Sequence, residues 1–164
     1  MDLTLEDWAY IAQIVGVVLV IVTLIYLAAQ VKQGTQLLLS EARQVSLNTD
    51  QGGVYKFIEF PKLGQCMSSS RAATFEDKTQ LMFWIIAQMR AREHEWLQYQ
   101  SGALDGDAWL SYRDVIYFIL GTARARQMWG LCRGYFNEGF VQMVEEMTKD
   151  VPLTDFWEAL EAVD

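Results

Sequence analysis

Hydrophobic residues are concentrated in one long stretch near the start of the chain. No charged residue occurs between Trp8 and Ala29, and the only polar side chains deep within this stretch are Gln13 and Thr23. A helix rises about 1.5 Å per residue, so residues 8–30 would span roughly 35 Å, enough to cross the hydrocarbon core of a bilayer. The pattern therefore predicts a transmembrane helix over residues 8–30.

Three other interpretations of this stretch fit less well. A cleaved signal peptide has a basic start and small residues at its far end, whereas this chain starts with Asp2, Glu6 and Asp7 and has bulky residues at 24–27. A core helix that is apolar on every side is unusual in so small a protein. An interfacial helix needs a charged face, which this stretch lacks.

Lysine and arginine occur only on the C-terminal side of the predicted membrane helix. None precedes it, and Lys32 and Arg43 follow closely, where they are possible contacts for lipid headgroups. By the positive-inside rule we expect residues 1–7 to form a short external tail and the C-terminal part to lie in the cytoplasm. Unpaired Cys66 and Cys132 agree with a reducing compartment.

Small and polar residues recur along the membrane helix at alternating intervals of three and four, the a/d spacing of packed helices. Small residues permit close approach, as Ala12 and Gly16 would, and Gln or Thr can hydrogen-bond across the contact. We call this predicted helix–helix interface the seam. Its members are Gln13, Gly16, Val20, Thr23, Leu27, Gln30, Gly34 and Leu37. The seam is interpreted as an interface with a second copy of the chain or with another membrane subunit. The alternatives are that the spacing arises by chance and that the seam is a water-facing stripe of a pore.

The remainder of the chain shows helical periodicity and no sustained strand alternation. Residues 31–50 predict a helical stalk, which turn residues at Asn48–Gly53 should stop. Residues 51–73 predict a loop-rich connector with at most one short helix. The predicted bundle of residues 74–164 has helices at 74–100 (capped by Thr74), 105–121 (capped by Asp105 or Asp107), 123–135, 138–149 and after a Thr154 cap. The expected fold is all-α: a transmembrane helix, a stalk and a small cytoplasmic helical bundle.

Two apolar runs in the predicted bundle, residues 81–87 and 115–121, are too short to cross a bilayer and are expected to form its core. The bundle is rich in tryptophan, which at helical spacing is more typical of core or interface positions than of a ligand pocket.

Composition and net charge exclude some classes of protein and partner. The chain is 52% hydrophobic and 21% charged, which excludes a disordered protein, and its net charge of −8 argues against a nucleic-acid partner. From Glu138 onward there are eight acidic residues against Lys149 alone. This acidic end predicts a solvated face turned away from an anionic leaflet, with docking to a basic partner as the alternative.

No group of residues predicts catalysis, a cofactor or a metal. His94 is the only histidine, and neither Ala91 nor Gln98 supplies the second ligand that a helical metal site needs. Every basic residue between 79 and 137 is arginine, which favours carboxylate pairs between helices; anionic lipid is the alternative. The expected carboxylates are Glu93, Glu95, Asp105, Asp107 and Asp114. The sequence therefore predicts a protein that is not an enzyme.

Three segments resemble a large group of small bacterial membrane proteins that have no assigned activity. LIYLAAQVKQGTQLLLSEARQ (24–44) resembles the IYLAxQxRQNT segment that ends their hydrophobic helix, with Gly34 where Asn is usual. GALDGDAWLSY (102–112) and RARQMWGLCRGYF (124–136) are similar to a later Gly-aliphatic-acid-x-x-W stretch and a Trp-containing helix. The resemblance implies a single-pass protein of the bacterial inner membrane and supplies no catalytic residue.

Together these features predict a membrane-anchored structural or interaction protein. It would be an oligomeric scaffold, or an accessory subunit of a larger inner-membrane complex, with itself, other integral membrane subunits and the lipid bilayer as partners. The alternative is a homo-oligomeric channel lined by Gln13, Thr23 and Gln30.

Overall fold

A computed structural model describes residues 4–163, apart from the side chains at positions 38, 39, 42, 43, 45 and 46. The described residues form helices and no strand, which confirms the all-α prediction. The elements are α1 (Leu5–Glu59), α2 (Pro61–Met67), α3 (Phe75–Gln100), α4 (Gly106–Ile119), α5 (Ala123–Cys132), a 3₁₀ turn (Arg133–Tyr135), α6 (Glu138–Thr148) and α7 (Phe156–Glu161). The chain divides into two compact units, Met1–Arg43 and Gln44–Asp164. We call the second unit the body.

The first unit consists of the apolar part of α1. Leu5–Leu37 is a helix of 33 residues in which a stretch of 18 residues has a mean hydropathy of 2.7, and none of the helix is buried. By length and composition it is able to cross a membrane, and it contains the predicted span of residues 8–30.

The predicted helix stop at Asn48–Gly53 is wrong, because α1 continues to Glu59. Contacts of these residues with α3 outweigh their weak helix propensity. The indole Nε1 of Trp84 donates to the Gly53 carbonyl at 3.3 Å. A Cβ on Gly53 would lie 2.6 Å from Gln88 Nε2, so this glycine serves the close approach of α3 rather than a turn.

The loop-rich connector predicted for residues 51–73 is also wrong, since helix occupies most of it. Pro61 ends α1 because it disfavours helical geometry in the residue before it, and it then starts α2 at a position where its missing N–H costs nothing. The buried residues Leu63, Cys66 and Met67 of α2 join the core of the body.

Side-chain caps set the starts of the later helices. Thr74 and Asp77 form the predicted capping box at α3, where Thr74 Oγ1 lies 3.2 Å from the Asp77 N–H. Asp105 caps α4, so of the two predicted caps, Asp105 and Asp107, the first is correct. The prediction of Thr154 at α7 is wrong: Asp155 accepts from the Glu158 N–H at 3.2 Å.

The core of the body lies where α2 to α6 meet, and it contains part of each predicted apolar run, whereas Phe83 and Phe118 are exposed. Leu81 and Ile85 from the first run and Ile116, Ile119 and Leu120 from the second are each at most 1% exposed. Aromatic side chains also belong to the core: the rings of Trp129 and Phe136 pack with their centroids 4.9 Å apart. These aromatic side chains thus serve packing, as predicted.

Candidate functional site

The predicted interface residues, from Ala12 to Gly34, are all exposed on α1. No atom lies within 4 Å of where a Cβ would stand on Gly16 or Gly34, apart from the helix's own neighbouring backbone. Val20 is 59% and Leu27 48% exposed. The first unit thus leaves the whole seam accessible to another helix.

Two polar residues of the seam have partners within α1. The Thr23 hydroxyl donates to the Leu19 carbonyl at 2.8 Å, and the Gln30 amide donates to the Tyr26 hydroxyl at 2.7 Å. Such internal hydrogen bonds lower the cost of placing a polar group in lipid. Lys32 is exposed, and its contact with lipid headgroups stays a prediction, whereas the Arg43 side chain lies outside the described residues.

A buried ionic cluster connects α1 to α3 inside the body. Arg92 is 0% exposed, and its Nε lies 3.0 Å from Oε2 of Glu95, which is itself 2% exposed. Its Nη2 donates to Asp50 on α1, and its guanidinium stands 5.5 Å from the centre of the Tyr112 ring. Charges buried this far from water are stable only when they are paired. Arg92 pairs with a carboxylate on each of two helices, so it links α1 to α3.

The arginine prediction is only partly right. Arg92–Glu95, Arg90–Glu93 and Arg113–Asp114 are pairs within one helix, not between helices. Two pairs join different elements: Arg92 of α3 pairs with Asp50 of α1, and Arg133 of the 3₁₀ turn pairs with Glu145 of α6. Asp50 was missed because it stands in the segment predicted to be a turn.

Arg124 and Asp155 organise the end of α2. Arg124 Nη1 donates to the Ser68 carbonyl at 2.8 Å, and Asp155 accepts from Ser68 Oγ at 2.9 Å and from the Ser69 N–H at 3.0 Å. Partial burial would by itself raise the pKa of Asp155, but the hydrogen bonds from Ser68, Ser69 and the start of α7 together lower it. The acidic C-terminal end therefore has a structural role within the body beyond forming a solvated face.

Two apolar grooves flank the last turns of α1 in the body. One has a volume of about 610 Å³ and lies between α1, α2 and α3, with Phe60, Phe83 and Trp84 in its wall. The other, of about 410 Å³, lies between α1, α4 and α7, with Phe57, Phe118 and Trp157 in its wall. Pockets lined mainly by apolar side chains are suited to an apolar ligand or to an apolar segment of a partner.

His94 and the two cysteines differ in their exposure to solvent. His94 is exposed and its Nε2 lies 2.8 Å from the Gln98 amide. Cys66 and Cys132 are free and buried, and burial raises the pKa of both thiols. Within residues 4–163, no three His, Cys, Asp or Glu side chains are grouped so as to hold a metal ion.

The described surfaces that stand out are an exposed apolar helix and two apolar grooves, all suited to contact with other molecules. Comparison with protein-family models, with curated proteins and with solved structures gives no match. The function is therefore inferred from the chain's own residues.

Proposed function

We propose that the protein is a membrane-anchored interaction protein of the bacterial inner membrane, with α1 as its anchor. The observation that carries the proposal is the unburied apolar helix Leu5–Leu37. Each Val, Leu or Ile side chain gains about 1.5–3 kcal/mol from full burial, so the half-exposed aliphatic side chains of this helix favour an apolar surrounding by on the order of 10 kcal/mol. A bilayer supplies that surrounding.

The proposal places the N-terminus outside and the body in the cytoplasm. The absence of Lys and Arg before the helix, with Lys32 and Arg43 behind it, supports this orientation. In intact cells, a cysteine introduced at Thr4 should react with a membrane-impermeant thiol reagent, while one introduced at Lys149 should react only after the cells are opened. The reverse pattern would refute the orientation. A protein released from membranes by alkaline carbonate would refute the anchor.

The role of the anchored protein is that of an oligomeric scaffold or an accessory subunit, with the seam as its contact within the membrane. The exposed seam supports this proposal because its glycines leave room for a close helix neighbour. The variant Gln13→Leu with Gly16→Leu should reduce the mass of the complex isolated in mild detergent. Ile14→Leu with Val18→Leu changes apolar side chains outside the seam and serves as the matched control. Unchanged mass in the seam variant would refute the seam.

Mass spectrometry of the complex from native membranes distinguishes the two roles. A homo-oligomer alone supports the scaffold, and stoichiometric recovery of other membrane proteins supports the accessory subunit.

The rival function is a homo-oligomeric channel in which Gln13, Thr23 and Gln30 face water. Cysteines at positions 13, 20 and 23 separate the two functions. A packed seam protects these cysteines from a water-soluble thiol reagent, whereas a pore exposes them. Because Thr23 and Gln30 already have partners within α1, we expect protection.

A further inference from the structure

The larger groove of the body, of about 610 Å³, contains a buried amide that the protein leaves without a partner. Gln88 of α3 lines this groove and is 7% exposed. Among the described residues, no group forms a hydrogen bond with the Gln88 side chain. Buried side-chain amides are as a rule hydrogen-bonded, so this one is suited to pair with a molecule from outside the chain.

The close approach of α3 to α1 places the Gln88 amide beside a lysine. A Cβ on Gly53 would lie 2.6 Å from Gln88 Nε2 and 3.0 Å from its Oε1, so the amide stands against this point of α1. Residues three positions apart on a helix have their Cβ atoms about 5–6 Å apart. Lys56 therefore follows one turn after the amide, and it lines the same groove.

The Lys56 ammonium is able to turn toward a ligand. It lies 5.2 Å from the centre of the Phe60 ring in the groove wall and pairs with Glu59 at 2.6 Å. Both members of this pair are more than half exposed. Exposed ion pairs contribute little to stability, so Lys56 can exchange Glu59 for another carboxylate.

The remainder of the groove is mainly apolar and partly open to water. Phe83 is 67% and Phe60 45% exposed in its wall. Lys56 is the only charged residue among the described residues that line it. On α1 the groove extends from Thr49 to Phe60, which at 1.5 Å per residue is about 16 Å. Its shape and lining thus suit one extended apolar chain that carries one anionic group.

We propose that this groove binds a single long-chain fatty acid. The carboxylate accepts from the Gln88 amide and pairs with Lys56, and the hydrocarbon chain covers Phe60 and Phe83. One amide and one ammonium match one carboxylate, and the volume lies within the range of small-molecule sites. The smaller groove also contains Gln88, but its charged lining residue is Asp50, which would repel an anion.

The site lies wholly within the body, so the inference goes beyond the proposed function and does not require α1 to be an anchor. Photoaffinity labelling of the full-length protein tests it. Hexadecanoic acid with a diazirine in its chain is added to native membranes and irradiated, and mass spectrometry locates the label. We expect label on residues 49–63 and 80–88, and we expect excess hexadecanoic acid to displace it better than hexadecanol, which has no charge.

The position of the label separates the groove from the proposed anchor. A fatty acid dissolved in the bilayer would label Leu5–Leu37 if this helix crosses the membrane. Label confined to Leu5–Leu37 would overturn the groove site and leave the anchor intact. Label confined to the groove would support the site and count against the anchor. Equal displacement by hexadecanol and hexadecanoic acid would refute recognition of the carboxylate.

Filling the groove should prevent labelling. Ala87 lines the groove and is exposed, so Ala87→Trp occupies the space without disturbing the core. His94→Trp is the matched control, because it places the same indole at an exposed position of α3 that lines neither groove. We expect Ala87→Trp to lose the label on residues 49–63 and 80–88 and His94→Trp to keep it. Equal labelling of the two variants would contradict the site.

Variants of the two polar residues test their roles. Gln88→Leu removes one hydrogen bond to the ligand and none within the described protein, so labelling should fall about twofold to tenfold while the melting midpoint does not fall. Lys56→Gln should also reduce labelling, whereas Glu59→Gln, the matched control, removes the other member of the exposed pair and should not. Wild-type labelling of Gln88→Leu, or equal labelling of the Lys56 and Glu59 variants, would overturn the proposed carboxylate contacts.

Discussion

Replacing Arg92 with methionine would test whether the buried ionic cluster holds the body together. Methionine keeps much of the side-chain volume and removes the charge. The change leaves Glu95, which is 2% exposed, without its guanidinium partner, and it releases Asp50 on α1. The expected result is therefore a large loss of stability, rather than the small effect typical of surface pairs.

The magnitude follows from the burial of both charges. Breaking a buried pair by removing one partner costs about 3–5 kcal/mol. The body has about 120 residues, and at about 2.1 cal/mol/K per residue its unfolding entropy is about 0.25 kcal/mol/K. The midpoint of thermal unfolding should fall by about 12–20 °C, since that shift is the free-energy loss divided by the entropy.

Near-ultraviolet circular dichroism of the full-length protein in detergent follows the tryptophans of the body and measures this midpoint. Arg113→Met is the matched control, because Arg113 pairs with Asp114 at the surface and should contribute less than about 1 kcal/mol. Adding Glu95→Leu to Arg92→Met should restore part of the stability, because it removes the buried carboxylate whose guanidinium partner the first substitution took away. An Arg92→Met midpoint equal to that of the control, or a double variant no more stable than the single one, would refute the reasoning.

Three further predictions concern the body. Gly52→Ala should stabilise the body by about 0.5–1 kcal/mol, because the space around a Cβ on Gly52 is open. Gly53→Ala should lose this gain, because its Cβ would displace Gln88. Equal melting midpoints for the two variants would contradict the close approach of α3 to Gly53. Hydrogen bonds favour the ionised form of Asp155 in the folded state and lower its pKa below 3.8, so its contribution is present above that pH and lost as the pH falls through the folded pKa. Acid titration of the unfolding midpoint should therefore be shallower for Asp155→Asn than for wild type, and parallel curves would contradict the assignment. Burial and the raised pKa of both thiols should make labelling by a thiol reagent at neutral pH slow in the folded protein and fast after denaturation; fast labelling of the folded protein would count against the packing of α2 and α5.

Local signals in the sequence predicted most of the helices of the body. Thr74 and Asp77 mark the start of α3, and Ser101 and Gly102 mark its end, where Gly102 has a φ of +75°. These signals work because capping depends on residues a few positions apart. The same local signals misled at residues 48–53, where Gly53 stays helical because it accepts the close approach of α3.

The features of the candidate site also divide into those that the sequence predicted and those that needed the tertiary structure. The seam was found from sequence because its a/d spacing is a property of one helix, and its role stays a prediction. The grooves and the Arg92 cluster were missed, because each combines residues far apart in the chain, such as Asp50 with Arg92.

The sequence by itself determined the apolar helix, the all-helical class and most helix boundaries, since these follow from hydrophobicity and from contacts within one turn. Only the tertiary structure decided that α1 runs to Glu59 as part of the body and that Arg92 is buried with Glu95 and Asp50. The physical reason is that helix propensity differs by less than about 1 kcal/mol between most residues. Leaving one member of a buried ion pair without the other costs about 3–5 kcal/mol, so a tertiary contact of this kind overrides propensity.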